Sequence, residues 1–319
     1  MKNSGILLVV SLLIVLSSCF SGLESDLERG IERDDRLVKE FLQRNNLDPI
    51  EAALGYYFIK EQTNDAGEAI TNGDVLGIYY EIRTLEGQLI EAYFDENLPP
   101  RIFSHREGGM VPSAINFASG LAREGEILNL FIPSYLAYQE FSFQQLISPN
   151  SNLNVRVKYA KIYSEEELKD IEQEMISNYI AEENLEGFEK SPEGLHKKLI
   201  SEGDDEGPVA SVGNVVFFTF QLFQVGEPEA ISEITSEANP FQISLGGSSN
   251  LDFLNLSLEG LRIGAELEVI SPSYLAFGAT TQVIPFQVRR DLFFQNYIPQ
   301  IARPFEPLMM KAKIVHISG

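Results

Sequence analysis

The chain contains no tryptophan and one cysteine, Cys19. A single thiol excludes an intrachain disulfide, so packing alone must hold the core. Without indole rings, any aromatic pocket has to be built from the 21 phenylalanines and 12 tyrosines. Only His105, His196 and His316 could offer imidazole, and their separations match no metal-ligand spacing. They read as structural side chains, and no metal or cofactor is expected. Positive charge is scarce too: 24 Lys and Arg against 47 Asp and Glu leave a formal net charge of −23. That balance excludes the basic surface that nucleic acid requires. It also repels an anionic membrane face, so attachment to a bilayer must be apolar or covalent.

Long apolar runs are equally sparse. Lys2 is followed by one, residues 5–16, which falls short of the roughly 20 residues that span a bilayer and suits a secretory signal over residues 1–18. Leu16-Ser17-Ser18-Cys19 then resembles a bacterial lipobox, in which the cysteine carries the lipid. The alternative is a plain signal peptide that happens to contain a cysteine; the position of Cys19, alone in the chain, favours lipidation. Residues 19–33 are polar, lack an apolar stripe and read as a tether. The expected address is the cell envelope, lipid-anchored, with the outer membrane favoured and the protein facing the periplasm or the surface.

What the chain does have is a repeat. Ile132-Pro133-Ser134-Tyr135-Leu136-Ala137-Tyr138-Gln139 returns as Ser271-Pro272-Ser273-Tyr274-Leu275-Ala276-Phe277-Gly278. Each copy follows an apolar strand-like run, which follows a turn glycine, Gly125 or Gly264. The offset from Gly125 to Gly264, from Pro133 to Pro272 and from Ala137 to Ala276 is 139 residues each time (264 − 125, for instance). Repetition at a domain-sized period means one module used twice. With 319 residues, 44% of them hydrophobic, the chain can bury two cores of ordinary size.

Within the first module, Asp34-Asp35 lead into Leu37, Val38, Phe41 and Leu42 at helical spacing, and Asn45-Asn46 end the run. The pattern then predicts a strand over 75–82, a turn at Leu85-Glu86-Gly87 and a short strand around Phe103. Ile115, Ala118, Leu121 and Ala122 share one side of a short helix ending at Gly125. Leu153, Val155, Val157 and Tyr159 alternate with polar residues as a half-buried strand. The second module opens with a charged hinge, 164–170, and a helical run whose apolar face carries Met175, Ile176, Tyr179 and Ile180. A long aromatic strand follows at 215–223. The acidic stretch 203–207 lacks calcium-loop spacing and reads as a solvated turn. The fold class is α+β: two tandem domains, 34–163 and 164–319, each an antiparallel sheet wrapped on a short helix and preceded by a helical lead-in.

Strand, glycine turn, short helix, Gly-Glu, strand and Pro-Ser-x-Leu-Ala-Tyr, in that order, resemble the FKBP family of peptidyl-prolyl isomerases. The lead-in helix with Asn-Asn-Leu is similar to that of FKBP-type lipoproteins of Bacteroidota, including those associated with gliding motility. The resemblance implies an apolar trough that holds a proline ring while the amide twists, with no nucleophile or metal needed. The family's two tyrosine positions fall on Tyr80 and Tyr138, and its Phe-Asp pair on Ile90-Glu91. Tyr80, Glu91 and Tyr138 are therefore the expected catalytic groups. The family's tryptophan floor falls on Ile115, its valine-isoleucine pair on Val111-Pro112, its final-strand phenylalanine on Val155, and its flap near Leu146 and Ile147; Phe103 completes the expected pocket.

In the second module the tyrosine positions fall on Phe220 and Phe277, so both hydroxyls are gone. Phe241, Leu254 and Met310 complete this degenerate pocket, from which no isomerase activity is expected. Phe277 is separated from Leu308 by 30 residues, against 14 between Tyr138 and Leu153. The longer loop, 279–307, holds Pro285, Phe286, Arg289, Arg290, Phe293, Phe294, Tyr297, Pro299, Arg303 and Phe305. Such composition marks an interface, with an outer-membrane complex as the partner; the competing reading is that the rings fold back beside Phe277. Two functions follow: an envelope isomerase or chaperone acting on proline-containing envelope proteins, or a non-enzymatic accessory subunit of an assembly, secretion or gliding machine that uses these folds for docking.

Overall fold

Helix α1 (Asp26–Arg44) opens the described part of this computed structural model, residues 26–319. The signal segment, Cys19 and the start of the tether lie outside the described residues. The helix begins ahead of the Asp34-Asp35 boundary expected for it, so the end of the stretch read as a tether is helical. Glu and Arg sustain a helix without an apolar stripe, because the docking is supplied further on by Val38 and Leu42, both buried. None of the described helices is long and apolar enough to cross a membrane.

The first unit continues through β1 (Ile50–Glu51), β2 (Tyr57–Gln62), β3 (Val75–Thr84), β4 (Leu89–Tyr93), β5 (Arg101–Ser104), β6 (Met110–Val111), α2 (Ser113–Ser119), β7 (Ile127–Ile132) and β8 (Leu153–Tyr163). The second runs α3 (Glu165–Glu182), β9 (Glu189–Lys190), β10 (His196–Ser201), β11 (Val215–Gln224), β12 (Ala230–Ile234), β13 (Phe241–Ser244), α4 (Asp252–Leu258), β14 (Glu266–Ser271), β15 (Gln282–Val283), α5 (Arg289–Phe294) and β16 (Leu308–Ser318). The first sheet has strand order β1-β2-β7-β8-β3-β4, and the second has β9-β10-β14-β16-β11-β12. In each, a further strand, β5 or β13, pairs with the long strand β3 or β11. All pairings inside the two sheets are antiparallel. The two units thus share one α+β topology, a sheet wrapped on a short helix.

The two-residue period of the strands sends their residues to two different cores. Phe58 and Leu130 face the main core with Ile115 and Ala118 of α2. Their neighbours Tyr57 and Phe131, paired across β2 and β7, face α1 instead. The second unit repeats this: Val269 and Met310 face the main core, whereas Ile270 and Met309 pack with Ile176 of α3. Each repeated Pro-Ser-Tyr-Leu segment forms a single 3-10 turn, held by a carboxylate from the lead-in helix. Asp34 accepts from the Ser134 amide at 3.0 Å and from its hydroxyl. Glu172 takes the same part at Ser273. Gly125 and Gly264 sit at φ +83° and +82°, which is why the chain needs glycine before β7 and β14.

Three local expectations change. Helix α2 stops at Ser119, capped by Gly120, and leaves Leu121 outside the core and 45% exposed. The charged stretch 164–170 is no hinge but the first turns of α3, with Ser164 and Glu167 in a reciprocal capping box. Met175 lies one position from the buried Ile176, a rotation of roughly 100° that takes it off the apolar face.

The loop 279–307 leaves its own unit and packs on the first. β15 pairs in parallel with β6, placing Gln282 opposite Met110 and Val283 opposite Val111. Val283, Ile284, Val288, Leu292 and Ile298 all join the first unit's core. The peptide bonds preceding Pro112 and Pro285 are cis.

Candidate functional site

Tyr80 lies in the middle of β3 and points inward with Ile78 and Ile82, two residues to either side; all three are fully buried. Across the β3–β4 pair, Tyr80 stands opposite Tyr93 and Ile82 opposite Glu91. That diagonal lets the Tyr80 hydroxyl donate to Glu91 Oε2 at 2.6 Å. Burial, followed by the Glu91 carboxylate, pushes the Tyr80 phenol far above its ordinary range, so it remains protonated. Tyr138 follows the 3-10 turn after β7 and is likewise buried. Its phenol is raised by burial first and by Glu91 second, and so it too is a fixed donor.

The other expected lining residues belong to, or pack against, the same core as these two rings. Ile90, Phe103, Ile115, Ile147 and Val155 are buried in the same core, with Val111 and Leu146 partly buried against it. Pro112 is buried next to Val111, at the N-terminal end of α2. One neighbour escaped sequence reasoning. Arg101, on β5, sets its guanidinium 4.1 Å from the Tyr93 ring centroid, and its Nε is buried without a hydrogen-bond partner. No pattern around Arg101 singles it out, because its position depends on how β5 folds back onto β3.

The Tyr138 hydroxyl is engaged from within the chain. Tyr138 donates its hydroxyl to the carbonyl oxygen of Ile284 at 2.7 Å, and Ile284 is fully buried. Ile284 is the residue before Pro285, which is buried as well. The Ile284 amide donates to Val111 O at 3.1 Å, and that of Gln282 to Gly109 O at 2.9 Å. The Gln282 side chain adds a bond to Ile102 O at 2.8 Å, while Arg106 donates to the Ala279 carbonyl. Phe286 completes the segment with its ring 3.7 Å from the Arg101 guanidinium. Beside it lies a cavity of about 610 Å³ walled by Tyr93, Arg101, Tyr163, Met175, Phe286 and Arg303, among others.

The loop 279–307 is seated largely on the first unit. Tyr297 lines one hollow together with Phe277, the Phe305 amide donates to Gly278 O at 3.3 Å, and several of the loop's apolar side chains are used against the first unit. Phe293 packs on the first core, and Tyr297 meets Phe141 edge-on at 5.7 Å; Phe294 stays 63% exposed. The aliphatic residues Val283, Ile284, Val288 and Leu292 decide the docking, and the aromatic count drew attention away from them. A prolyl segment inside a chain that carries a prolyl trough was the signal available in the sequence.

The second pocket gathers Met310, buried, with Phe220, Leu254 and Phe277 partly buried around it. Phe241 lies at its edge, 39% exposed, edge-on to Phe218 at 5.6 Å and to Phe220 at 5.7 Å. Register supports the equivalence of the two sites: Leu222 stands opposite Met310 as Ile82 stands opposite Val155. Phe220 and Phe277 bring no hydroxyl to this pocket, unlike Tyr80 and Tyr138 in the first.

The chain is 30% identical over 87 residues to an FK506-binding protein of Streptomyces anulatus, covering 27% of this chain and 68% of that protein. Among solved structures, the three FKBP domains of wheat FKBP73 align at 15% identity and TM-score 0.32, over 83% of this chain and 95% of that one. A peptidyl-prolyl cis-trans isomerase of Pseudomonas syringae pv. tomato aligns at 19% identity and TM-score 0.35, over 45% of this chain and all of that one. FkpA of Escherichia coli aligns at 17% identity and TM-score 0.35, over 51% and 83%. No protein-family model matches the chain.

Proposed function

This chain belongs to the FK506-binding protein family, and from that premise we propose that it is a lipid-anchored envelope protein that binds prolyl segments of secreted or outer-membrane clients and catalyses their isomerisation. In this reading residues 1–18 are a signal, Cys19 carries the lipid, and two FKBP-type domains follow the tether. The first domain is the catalytic one, through Tyr80, Glu91 and Tyr138. The second is non-catalytic.

The observation that carries the reading is the hydroxyl of Tyr138 resting on the carbonyl of a residue that precedes a proline. An X-Pro bond rotates over a barrier of about 18–20 kcal/mol, most of it the amide resonance lost on twisting. The twisted amide is less polar than the planar one, so dry walls such as Ile90, Phe103, Ile115 and Val155 favour it. Tyr138 fixes the carbonyl while the prolyl side turns, and Glu91 holds Tyr80 as the neighbouring wall.

Exchange NMR on a short prolyl peptide tests the enzyme reading, using the full mature chain and an Ile284→Asp variant in which the resident segment is expelled. Faster exchange that disappears when Tyr138→Phe is added supports it. No acceleration by either protein sinks catalysis and leaves prolyl docking, the accessory role. Labelling with a palmitate analogue in the native host tests the anchor: wild-type chain that takes up no label removes the lipoprotein part.

A further inference from the structure

We propose that Gln282-Val283-Ile284-Pro285-Phe286 is a tethered ligand that keeps the first domain's cleft closed to clients, and that the clients able to displace it carry the same pattern, an aliphatic residue, proline and then an aromatic residue. The inference rests on the reading of that cleft as a prolyl site.

Each part of the segment meets the contact that a bound peptide would need. Its main chain is held by the Gln282 and Ile284 amides on Gly109 and Val111, contacts that any sequence could make. Its side chains are where choice enters. Ile284 is fully buried among apolar residues and would be replaced poorly by a polar or charged side chain. Pro285 is buried behind a carbonyl already bonded to Tyr138. Phe286 lies close to the guanidinium groups of Arg101 at 3.7 Å and Arg303 at 4.6 Å, a setting that rewards an aromatic ring.

The segment also arrives on a built support. Arg289, buried, donates to the carbonyls of Thr281, Ile301 and Ala302, tying both limbs of the loop together. Val288, Leu292 and Ile298 then bury themselves in the first unit's core with the segment's Val283 and Ile284. A tether this short presents its ligand at an effective concentration on the order of millimolar or higher. A free peptide of ordinary micromolar affinity therefore loses the competition, and the intact chain is latent until a client or partner draws the loop away.

The test is a titration of the fluorescent peptide Val-Ile-Pro-Phe into the full mature chain and its Ile284→Asp variant, joined to hydrogen exchange on the unmodified chain. The proposal expects the Gln282 and Ile284 amides to be protected in the unmodified chain. It expects the peptide to bind the variant at least tenfold more tightly than the wild type, and to lose that gain when Tyr138→Phe is added. Equal binding to both proteins, or amides that exchange as freely as an open loop, overturns the tethered ligand while leaving the cleft intact. A control peptide Val-Ile-Ala-Phe that binds the variant equally well instead removes prolyl recognition, and with it the function proposed above. Should Ile284→Asp lose its fold by circular dichroism, Phe286→Ala at the rim replaces it in the titration, and the exchange measurement on the unmodified chain decides independently.

Discussion

The Ser273 hydroxyl donates to Glu172 Oε1 at 2.7 Å, and both residues are buried. Asp34 and Ser134 stand in the same relation in the first unit. In each case a carboxylate on the lead-in helix holds the 3-10 turn that leads directly to Tyr138 or Phe277. The helices are therefore part of the site's foundation: they pack on the outer face of the sheet and fix the turn from behind. The acidity of the chain partly reflects such built-in carboxylates, not only surface charge.

Glu172 makes one half of this foundation pH-sensitive. Burial lifts its carboxyl from 4.5 to about 7, against the opposing pull of the Ser273 amide and hydroxyl. Between those two values the folded chain holds a proton that the unfolded chain has released. The stabilisation is therefore complete below about 4.5 and is lost as pH rises through 7. We expect Glu172→Gln to flatten this limb, with the wild type losing on the order of 3 kcal/mol more than the variant between pH 5 and pH 8. Urea unfolding of both proteins at the two pH values measures the difference; parallel curves would count against the assignment.

Asp34→Ala should destabilise the first unit by about 1–3 kcal/mol, because the buried Ser134 hydroxyl loses its acceptor. The loss is limited because the Ser134 amide keeps a second acceptor, Asn152 Oδ1 at 2.8 Å. Asp34→Asn, which retains an oxygen, should cost less than Asp34→Ala. Chemical denaturation of the two variants ranks them, and the reverse order would show that the hydrogen bond is not what matters.

The repeat offset and the strand periodicity made the fold legible, because β-sheets write their faces into alternate residues and turns into glycines such as Gly125 and Gly264. The inward faces of the first unit were legible for the same reason: Tyr80, Phe103 and Val155 are all fully buried, as the pattern indicates. Arg101, Asp34 and Glu172 were not, since each acts across a long stretch of sequence and is a charged residue in a chain rich in them. The path of 279–307 was hidden by a different cause. Its ten prominent aromatic, basic and prolyl residues describe a sticky loop equally well wherever it lands, and the register of Gln282 and Val283 against Met110 and Val111 fixes the place.

Tyr138→Phe should act in two directions at once. Removing the hydroxyl leaves the buried Ile284 carbonyl without its partner, a cost of about 1–2 kcal/mol to loop closure. We expect exchange at the Ile284 amide to accelerate roughly tenfold as a result. The freed cleft gains nothing, because it has lost the group that grips a client. In the Ile284→Asp background, the same change should lower isomerase activity by about tenfold or more. Unchanged exchange together with unchanged activity would place the hydroxyl outside both roles.

Arg289→Met separates the loop's own order from its docking. Arg289 is 5% exposed, and its guanidinium donates to Ile301 O at 2.7 Å and Thr281 O at 2.8 Å and also bonds Ala302 O and the Thr280 hydroxyl; among the described residues no carboxylate hydrogen-bonds to it. Burial depresses it only to about 10, against the pull of Glu306, so it remains charged at neutral pH and is held mainly by backbone carbonyls. Methionine fills similar volume but leaves the Thr281 and Ile301 carbonyls without donors, while Ala302 keeps the Thr280 hydroxyl at 2.7 Å, a loss of about 2–4 kcal/mol at the scale of unsatisfied buried polar groups. Because the second unit's core is formed mainly by other residues, the loss should fall on the loop. We expect Arg289→Met to retain the sheet signal in circular dichroism, to become cleavable within 279–307 under limited proteolysis, and to bind prolyl peptide more tightly than the wild type. A variant that stays resistant to cleavage would mean that Val288, Leu292 and Ile298 hold the loop closed without this scaffold, and that the latch is apolar contact alone.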